Sequence, residues 1–307
     1  MTAKPSAVTA DLGYRDKVAK IEPYGVDHVP DAERHGKASS QFSIWFAAGM
    51  NFPIMVLGFS AISLGLSFKA AVTAILVGSF VGAAVQGVLA QMGARLGVPQ
   101  QIQARGPLGF FGNFVPVAYI NVFAGIGWAA VTVILGSQAF HQLAPAVPMW
   151  ICSLVLVSLQ LVVAIYGYNM IHYLQKILAW VLFAGFLMIT VVSVTRSHGA
   201  VFGANPHAPY YVGAAGGWIT FAGYFLSFLI AWWPFASDYS RYLPDTHKTH
   251  RDAGLWTWAG NFISLSWLGI AGVLLGAGAV AGESPIQALH RMTGPFAPAA
   301  LLVVLLS

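Results

Sequence analysis

Apolar residues fill this chain in long runs, and polar residues gather between them. Seven runs lie at approximately 43–66, 70–93, 113–140, 148–167, 173–195, 216–236 and 254–281. Each is near the roughly 20 mostly apolar residues that a helix needs to cross the hydrocarbon. An eighth run starts near Pro295 and is still apolar at Ser307, with no basic residue behind it. It is too short to cross alone, so the expectation is a span cut short within a longer parent protein. Two of the runs are interrupted. Gly49, Asn51 and Pro53 fall inside the first, and Trp232, Trp233 and Pro234 inside the sixth. A continuous helix satisfies its own backbone in lipid, whereas a broken one is tolerated only where its freed carbonyls and amides line a cavity or hold a ligand. Broken spans at matching places in two halves predict a carrier built from inverted repeats. The second and seventh runs carry Gly78-xxx-Gly82 and Gly272-xxx-Gly276, small-residue pairs that let helices approach closely in lipid. This again relates the spans as first to sixth and second to seventh.

Composition agrees. Of the 307 residues, 57% are hydrophobic and 8% charged, against about a quarter charged in a soluble domain. The expected fold class is therefore an all-α polytopic membrane protein. Residues 1–41 are polar with mixed charge and no period, which predicts a flexible tail, and residues 42–307 form one transmembrane domain. The first 40 residues contain no apolar core of the kind a cleavable signal peptide needs. The net charge of +5 comes from residues spread over the links, so it points to membrane topology and not to nucleic acid. With the N-terminus inside, twelve of the fifteen Lys and Arg residues fall on inside segments, and only Lys69, Arg196 and Arg291 fall outside. The positive-inside rule then predicts a multi-pass cell-membrane protein with a cytoplasmic N-terminus. Cys152, the single cysteine, lies within the fourth run and reads as a packed thiol.

The candidate chemistry lies at the interruptions. The first five spans contain no carboxylate, which argues against the acidic relays common in proton carriers. Backbone carbonyls and hydroxyls are hard oxygen donors suited to sodium. This tilts the coupling ion toward sodium and leaves a proton open. Gly49 and Asn51 mark the first break. In the third span Gly125 precedes Trp128 and Thr132, which are four apart and share a helix face. An indole beside a hydroxyl suits a planar heterocycle, which would stack on the ring and bond at its edge. Ser227 and Phe228, ahead of Pro234, offer a second ring to close the stack. Trp232 and Trp233 read as gates or, on the plainer reading, which is preferred, as interface anchors near the cytosol. No His-Glu-x-x-His or Gly-x-Ser-x-Gly pattern is present, so neither an enzyme nor a cofactor is expected.

Ala236-Ser237-Asp238-Tyr239-Ser240-Arg241-Tyr242-Leu243-Pro244, after Trp-Trp-Pro-Phe, resembles the signature of the purine–cytosine permease branch of the nucleobase:cation symporter family. Trp45 through Pro53, Gly97-Val98-Pro99-Gln100, Arg105 through Gly109, Gly127-Trp128 and Tyr166-Gly167-Tyr168 agree in order, over roughly residues 35–307. The resemblance implies a LeuT-type fold of two inverted five-helix repeats, here cut in the eighth span. It implies cation symport of a nucleobase or related heterocycle by alternating access. Trp128 matches the family's base-stacking tryptophan, Thr132 replaces an amide common in relatives, and Phe228 or Leu229 matches the sixth-span aromatic. The cation would take backbone carbonyls of Ala48 and Asn51, with eighth-span hydroxyls beyond Ser307. Asp238 and Arg241 are expected to be gating or structural groups, paired with each other or with the link after the second span. The implied partners are a small heterocycle and the lipid bilayer; oligomeric state is left open. A seven-span receptor or retinal-type protein is the competing reading. The basic inside tail and a seventh span without a Schiff-base lysine oppose it. A carrier for hydantoin- or allantoin-like substrates is the nearer alternative.

Overall fold

A computed structural model describes residues 24–166, 168–197 and 202–307. The first 23 residues of the tail and Gly167 of the Tyr-Gly-Tyr motif lie outside them. Every regular element among the described residues is helical. Span one is a pair of helices, Ser40–Ala48 and Phe52–Phe59, bent by 58° at their junction. Spans two to eight follow as Phe68–Leu96, Arg105–Leu143, Met149–Tyr166, Tyr168–Arg196, Ala214–Ser240, His247–Ala277 and Pro285–Leu306.

Local chemistry explains most of the boundaries. Ser67 and Thr246 accept the amides of Ala70 and Thr249 at the starts of spans two and seven. Such caps satisfy amides that a helix start leaves without intrahelical partners. The Thr246 cap starts span seven at His247, two turns before the apolar run, so the charged residues His247–Asp252 are helical and not loop. Span eight also begins earlier than hydropathy suggests. A capping box of Ser284 and Gln287 opens an amphipathic helix, Pro285–Thr293, which one 3-10 turn joins to the apolar Ala297–Leu306. The two pieces together are long enough to cross, which corrects the expectation of a span too short to do so. Span two ends where Gly97 turns left-handed, at φ 65°.

Spans one, two, six and seven form the packed centre, while span three lies at the edge of the described residues. The two small-residue pairs do equivalent jobs. Gly78 and Gly82 let span two lie directly on Ala222 and Leu229 of span six. Gly272 and Gly276 let span seven lie on Met55 and Phe59 of span one. Two pairs of helices, two with six and seven with one, are thus held by the same device, as fits an inverted repeat.

The links sort onto two faces. On one face, Asn205 N–H donates to Gly65 carbonyl at 3.0 Å and Tyr210 N–H to Ser63 carbonyl at 2.9 Å, joining the link after span one to the link after span five. Arg291 donates to both Glu283 oxygens at 2.8 Å on the way into span eight. These hydrogen bonds hold the Glu283 carboxyl below its ordinary value. On the other face lie the tail, the link after span two and the link after span six. Val29 N–H donates to Gly97 carbonyl at 2.9 Å, and Arg241 donates to Gly25 carbonyl at 2.8 Å. Val29 is fully buried there. The described part of the tail is therefore packed against the helix ends, and the expectation of a free segment does not extend to it.

Candidate site at the broken helix

The first break is built by three residues. After Ala48 the chain leaves the helix, and Asn51 takes an extended conformation, φ −134° and ψ 149°. Its side chain then ties both helix ends together. Asn51 Nδ2 donates to Ala48 carbonyl at 2.9 Å, and Asn51 Oδ1 accepts Ile54 N–H at 3.4 Å. Pro53 sits in the first turn of the second helix, where a missing N–H costs nothing. So Gly49 carbonyl is not orphaned by the proline, as its position four residues earlier suggests; it accepts Asn51 N–H at 3.0 Å. Gly49 itself is buried against Ser264 of span seven, where a Cβ would strike the serine side chain. That contact makes Gly49 a close-packing residue, on a side of the break occupied by protein.

Sequence reasoning missed Ser307. The first amide of the second helix, Phe52 N–H, donates to Ser307 Oγ at 3.2 Å, and Ser307 donates in turn to Val304 carbonyl at 3.0 Å. The hydroxyls of span eight were expected beyond Ser307, yet Ser307 already reaches the break. Only the coincidence of a serine at the end of an otherwise apolar run marked it in the sequence. Ala48 carbonyl, Asn51 carbonyl and Ser307 Oγ thus belong to one small region. Each carbonyl there has one hydrogen bond from the protein, Ala48 from Asn51 Nδ2 and Asn51 from Ile54 N–H at 3.3 Å. A carbonyl oxygen has a second lone pair with which to bind a cation.

Span three passes beside this region, against Phe52–Phe59 and against the last helix. Trp128 is half-buried on the core and meets Phe228 of span six, with ring centroids 5.2 Å apart and planes at 82°. The structure brings these two residues together, but not as the two walls of a stack. Parallel rings about 7 Å apart, twice a contact distance of roughly 3.5 Å, would be needed to hold a planar ligand between them. Thr132 Oγ1 donates to Ala129 carbonyl at 3.1 Å, a local bond on its own helix. Ser227 and Gly125 are exposed. Gly125 closes a six-residue π-helix, Tyr119–Ala124, an unusual turn that changes the facing of everything after it.

Span six is not broken as span one is. Its helix tightens into one 3-10 turn, Trp233–Phe235, and continues through Ala236–Ser240 without a sharp bend. Pro234 has no N–H for the carbonyl of Ile230, four residues earlier, and that carbonyl accepts Trp233 N–H instead, which is the tightening into the 3-10 turn. Trp232 and Trp233 both reach across to other helices. Trp232 packs edge-on against Trp45, and Trp233 Nε1 donates to Gly82 carbonyl at 3.0 Å. Both join helices. At the end of span six, Asp238 accepts Gln100 N–H at 3.2 Å, in the link after span two. Ser237 Oγ donates to Leu89 carbonyl at 3.0 Å and Ser240 Oγ to Ala90 carbonyl at 2.7 Å. The signature segment therefore fastens span six to span two. Among the described residues, no group of three His, Cys, Asp or Glu side chains could hold a metal ion.

Comparison with known proteins gives this arrangement its kinship. Residues 28–307 match the family model for permeases of cytosine/purines, uracil, thiamine and allantoin. A protein named as a purine–cytosine permease, YxlA of Bacillus subtilis, is 30% identical over 93% of this chain and 61% of its own length. The purine–cytosine permease FCY21 of Saccharomyces cerevisiae is 28% identical over 80% of the chain and 46% of its own. This chain thus spans about half to three-fifths of the length of the curated relatives it matches. Among solved structures, Mhp1, a nucleobase–cation–symport-1 family transporter in a closed conformation with bromovinylhydantoin bound, matches with a TM-score of 0.77. Identity there is 18%, over 93% of this chain and 65% of that one. An inward-facing conformation of Mhp1 gives 0.74 at 16% identity. The fold is accordingly the LeuT-type inverted-repeat fold, and the chain belongs to the nucleobase:cation symporter family, in its purine–cytosine permease branch.

Proposed function

We propose that the protein carries a nucleobase or related planar heterocycle, cytosine or a purine first, into the cell by cation symport and alternating access. The observation that carries this reading is the meeting of Trp128 with Phe228 beside the 58° break in span one. Ring faces and edge donors at one place suit a flat, hydrogen-bonding solute. The heterocycle stacks on Trp128 from one side in the arrangement described here, and a sandwich with Phe228 requires the two rings to part. Asn51, Thr132 and Ser227 supply polar edges, each after a change of rotamer or partner. Gly49 and Gly125 give room for helix approach and turning.

The coupling cation binds at the break. Ala48 and Asn51 carbonyls are its first ligands, and Ser307 Oγ is the third oxygen within reach of the same turn. Sodium is favoured over a proton, because these are hard oxygen donors and spans one to four carry no carboxylate. The protein is embedded in the cell membrane. The face holding the tail and the links after spans two and six is cytosolic, since Lys and Arg collect there.

Uptake of radiolabelled cytosine by cells expressing the native gene product tests the reading. Uptake that saturates, rises with external sodium and is competed by adenine or hypoxanthine is the expected result. Competition by hydantoin or allantoin alone would move the substrate to that class. No heterocycle uptake under either ion gradient would overturn the function.

A further inference from the structure

The described tail is clamped onto the molecule by two buried arginines. Arg34 is 7% exposed and Arg241 4%. Arg34 Nε donates to Val29 carbonyl at 3.1 Å and Nη1 to Ala94 carbonyl at 3.3 Å, while Nη2 lies 2.9 Å from His28 Nε2. Asp31 lies 3.4 Å from the same guanidinium. Arg241, from the signature segment at the end of span six, holds Gly25 carbonyl. Gly97 is required beneath this clamp. It is left-handed, and a Cβ there would run into the Arg34 guanidinium. Burying a guanidinium is costly unless hydrogen bonds satisfy it, so one reaching from the segment to Ala94 carbonyl of span two and one reaching from span six to Gly25 carbonyl of the segment mark a specified contact.

Against the clamped segment lies a half-open chamber of about 540 Å³, whose outer wall includes the exposed rings of Phe110 and Phe114. Gly25 and Val26 form part of its wall, together with Gln101, Asn113, Asp238 and Tyr239. Asn113 is 4% exposed, and its Oδ1 is buried without a partner. The chamber also touches Asn121 of span three and Phe235 of span six. Asn121 lies seven residues before Trp128, and Phe235 seven residues after Phe228. At 1.5 Å per residue, both helices place the chamber about 10 Å from the Trp128–Phe228 pair, toward the same face. The two spans run in opposite directions, so the two displacements agree.

The geometry points to residues 24–34 as a lid over a release vestibule. The chamber is the next stop for the heterocycle on its way to the cytosol, and the Arg34 and Arg241 clamps must let go of the segment before the solute can leave. This rests on the carrier reading and on its topology. The freed amide oxygen of Asn113 is an acceptor for a ring N–H in transit.

Two arms test the lid. In a Cys152→Ala background, Val26→Cys and Gln101→Cys are joined with a cleavable bifunctional thiol reagent. Cross-linked protein is expected to keep binding labelled cytosine while uptake falls about tenfold or more, with recovery on cleavage. Unchanged uptake, or loss of binding together with uptake, overturns the lid. The second arm needs no transport. Asn113→Cys is labelled in inside-out vesicles by a charged thiol reagent, and Arg34→Gln is expected to raise the labelling rate about tenfold. Gly97→Ala should do the same by displacing the guanidinium. An unchanged rate in both variants refutes the lid. If the uncross-linked protein neither binds nor carries a heterocycle, the carrier reading has failed, and the labelling arm still decides whether the segment is a lid.

Discussion

Replacing Gly272 with leucine is expected to abolish the folded transporter core. A side chain at this position points at the backbone of Met55 in span one, whose carbonyl carbon and Cα lie 2.8 Å from where a Cβ would sit. Gly58, on the facing helix, leans in the same way on Gly269 and Gly272. Neither helix can yield cheaply, because the obstacles are main chain and not the ends of flexible side chains. Overpacking a tight core typically costs about 1–3 kcal/mol, and backbone contacts on both sides push this site to the upper end or beyond. In lipid no hydrophobic gain offsets the loss, since helix association there depends on close packing itself. The check is the yield of monodisperse protein after extraction and its midpoint of heat inactivation. Gly223→Ala is the control. Nothing stands within 4 Å of its Cβ position. That variant should be neutral, or gain the few tenths to one kcal/mol that alanine offers over glycine in a helix.

Trp128→Ala is expected to weaken heterocycle binding sharply while leaving insertion intact. The indole is half-buried, lies on span three near the edge of the packed centre, and has Phe228 as its aromatic neighbour. Truncating it therefore costs the fold little. Losing one stacked ring should weaken binding by about 1–3 kcal/mol, roughly five- to 150-fold. Trp128→Phe should recover part of this, because a smaller ring still offers a face. Equilibrium binding of labelled cytosine to purified variants, read beside their melting temperatures, separates the two effects. Wild-type affinity in Trp128→Ala would remove Trp128 from the site.

Much of this architecture is legible in the residues because lipid enforces it. Long apolar runs have one solution, and the coincidence of Gly49, Asn51 and Pro53 marks a real interruption. What hydropathy blurs is chemistry that works at a helix end. Pro234 signals a break equally well, yet Trp233 N–H takes over the Ile230 carbonyl that the proline cannot serve, so span six only tightens. Thr246 and Ser284 start helices ahead of the apolar residues, and a window tuned to apolarity passes over both. The partners of Trp232 and Trp233, Trp45 and the Gly82 carbonyl, are distant in the chain, so composition does not reveal these contacts. The packed tail is invisible for the same reason: Arg34 acquires its meaning from Ala94 and Gly97, sixty residues away. Among the candidate residues, Trp128 and Phe228 do meet, Asn51 proves to be the staple of the break, and Gly49 is a packing contact. Ser307 enters only when span eight is folded back onto span one.

The central claim is that a flat solute lies on Trp128 next to the break in span one. A density map of the native gene product with cytosine bound tests it most directly. The account predicts a planar density parallel to the indole at about 3.5–4 Å, with its edge toward Asn51 and the two helices of span one still bent. Density elsewhere in the molecule, or Trp128 turned to lipid with span one straight, would contradict it.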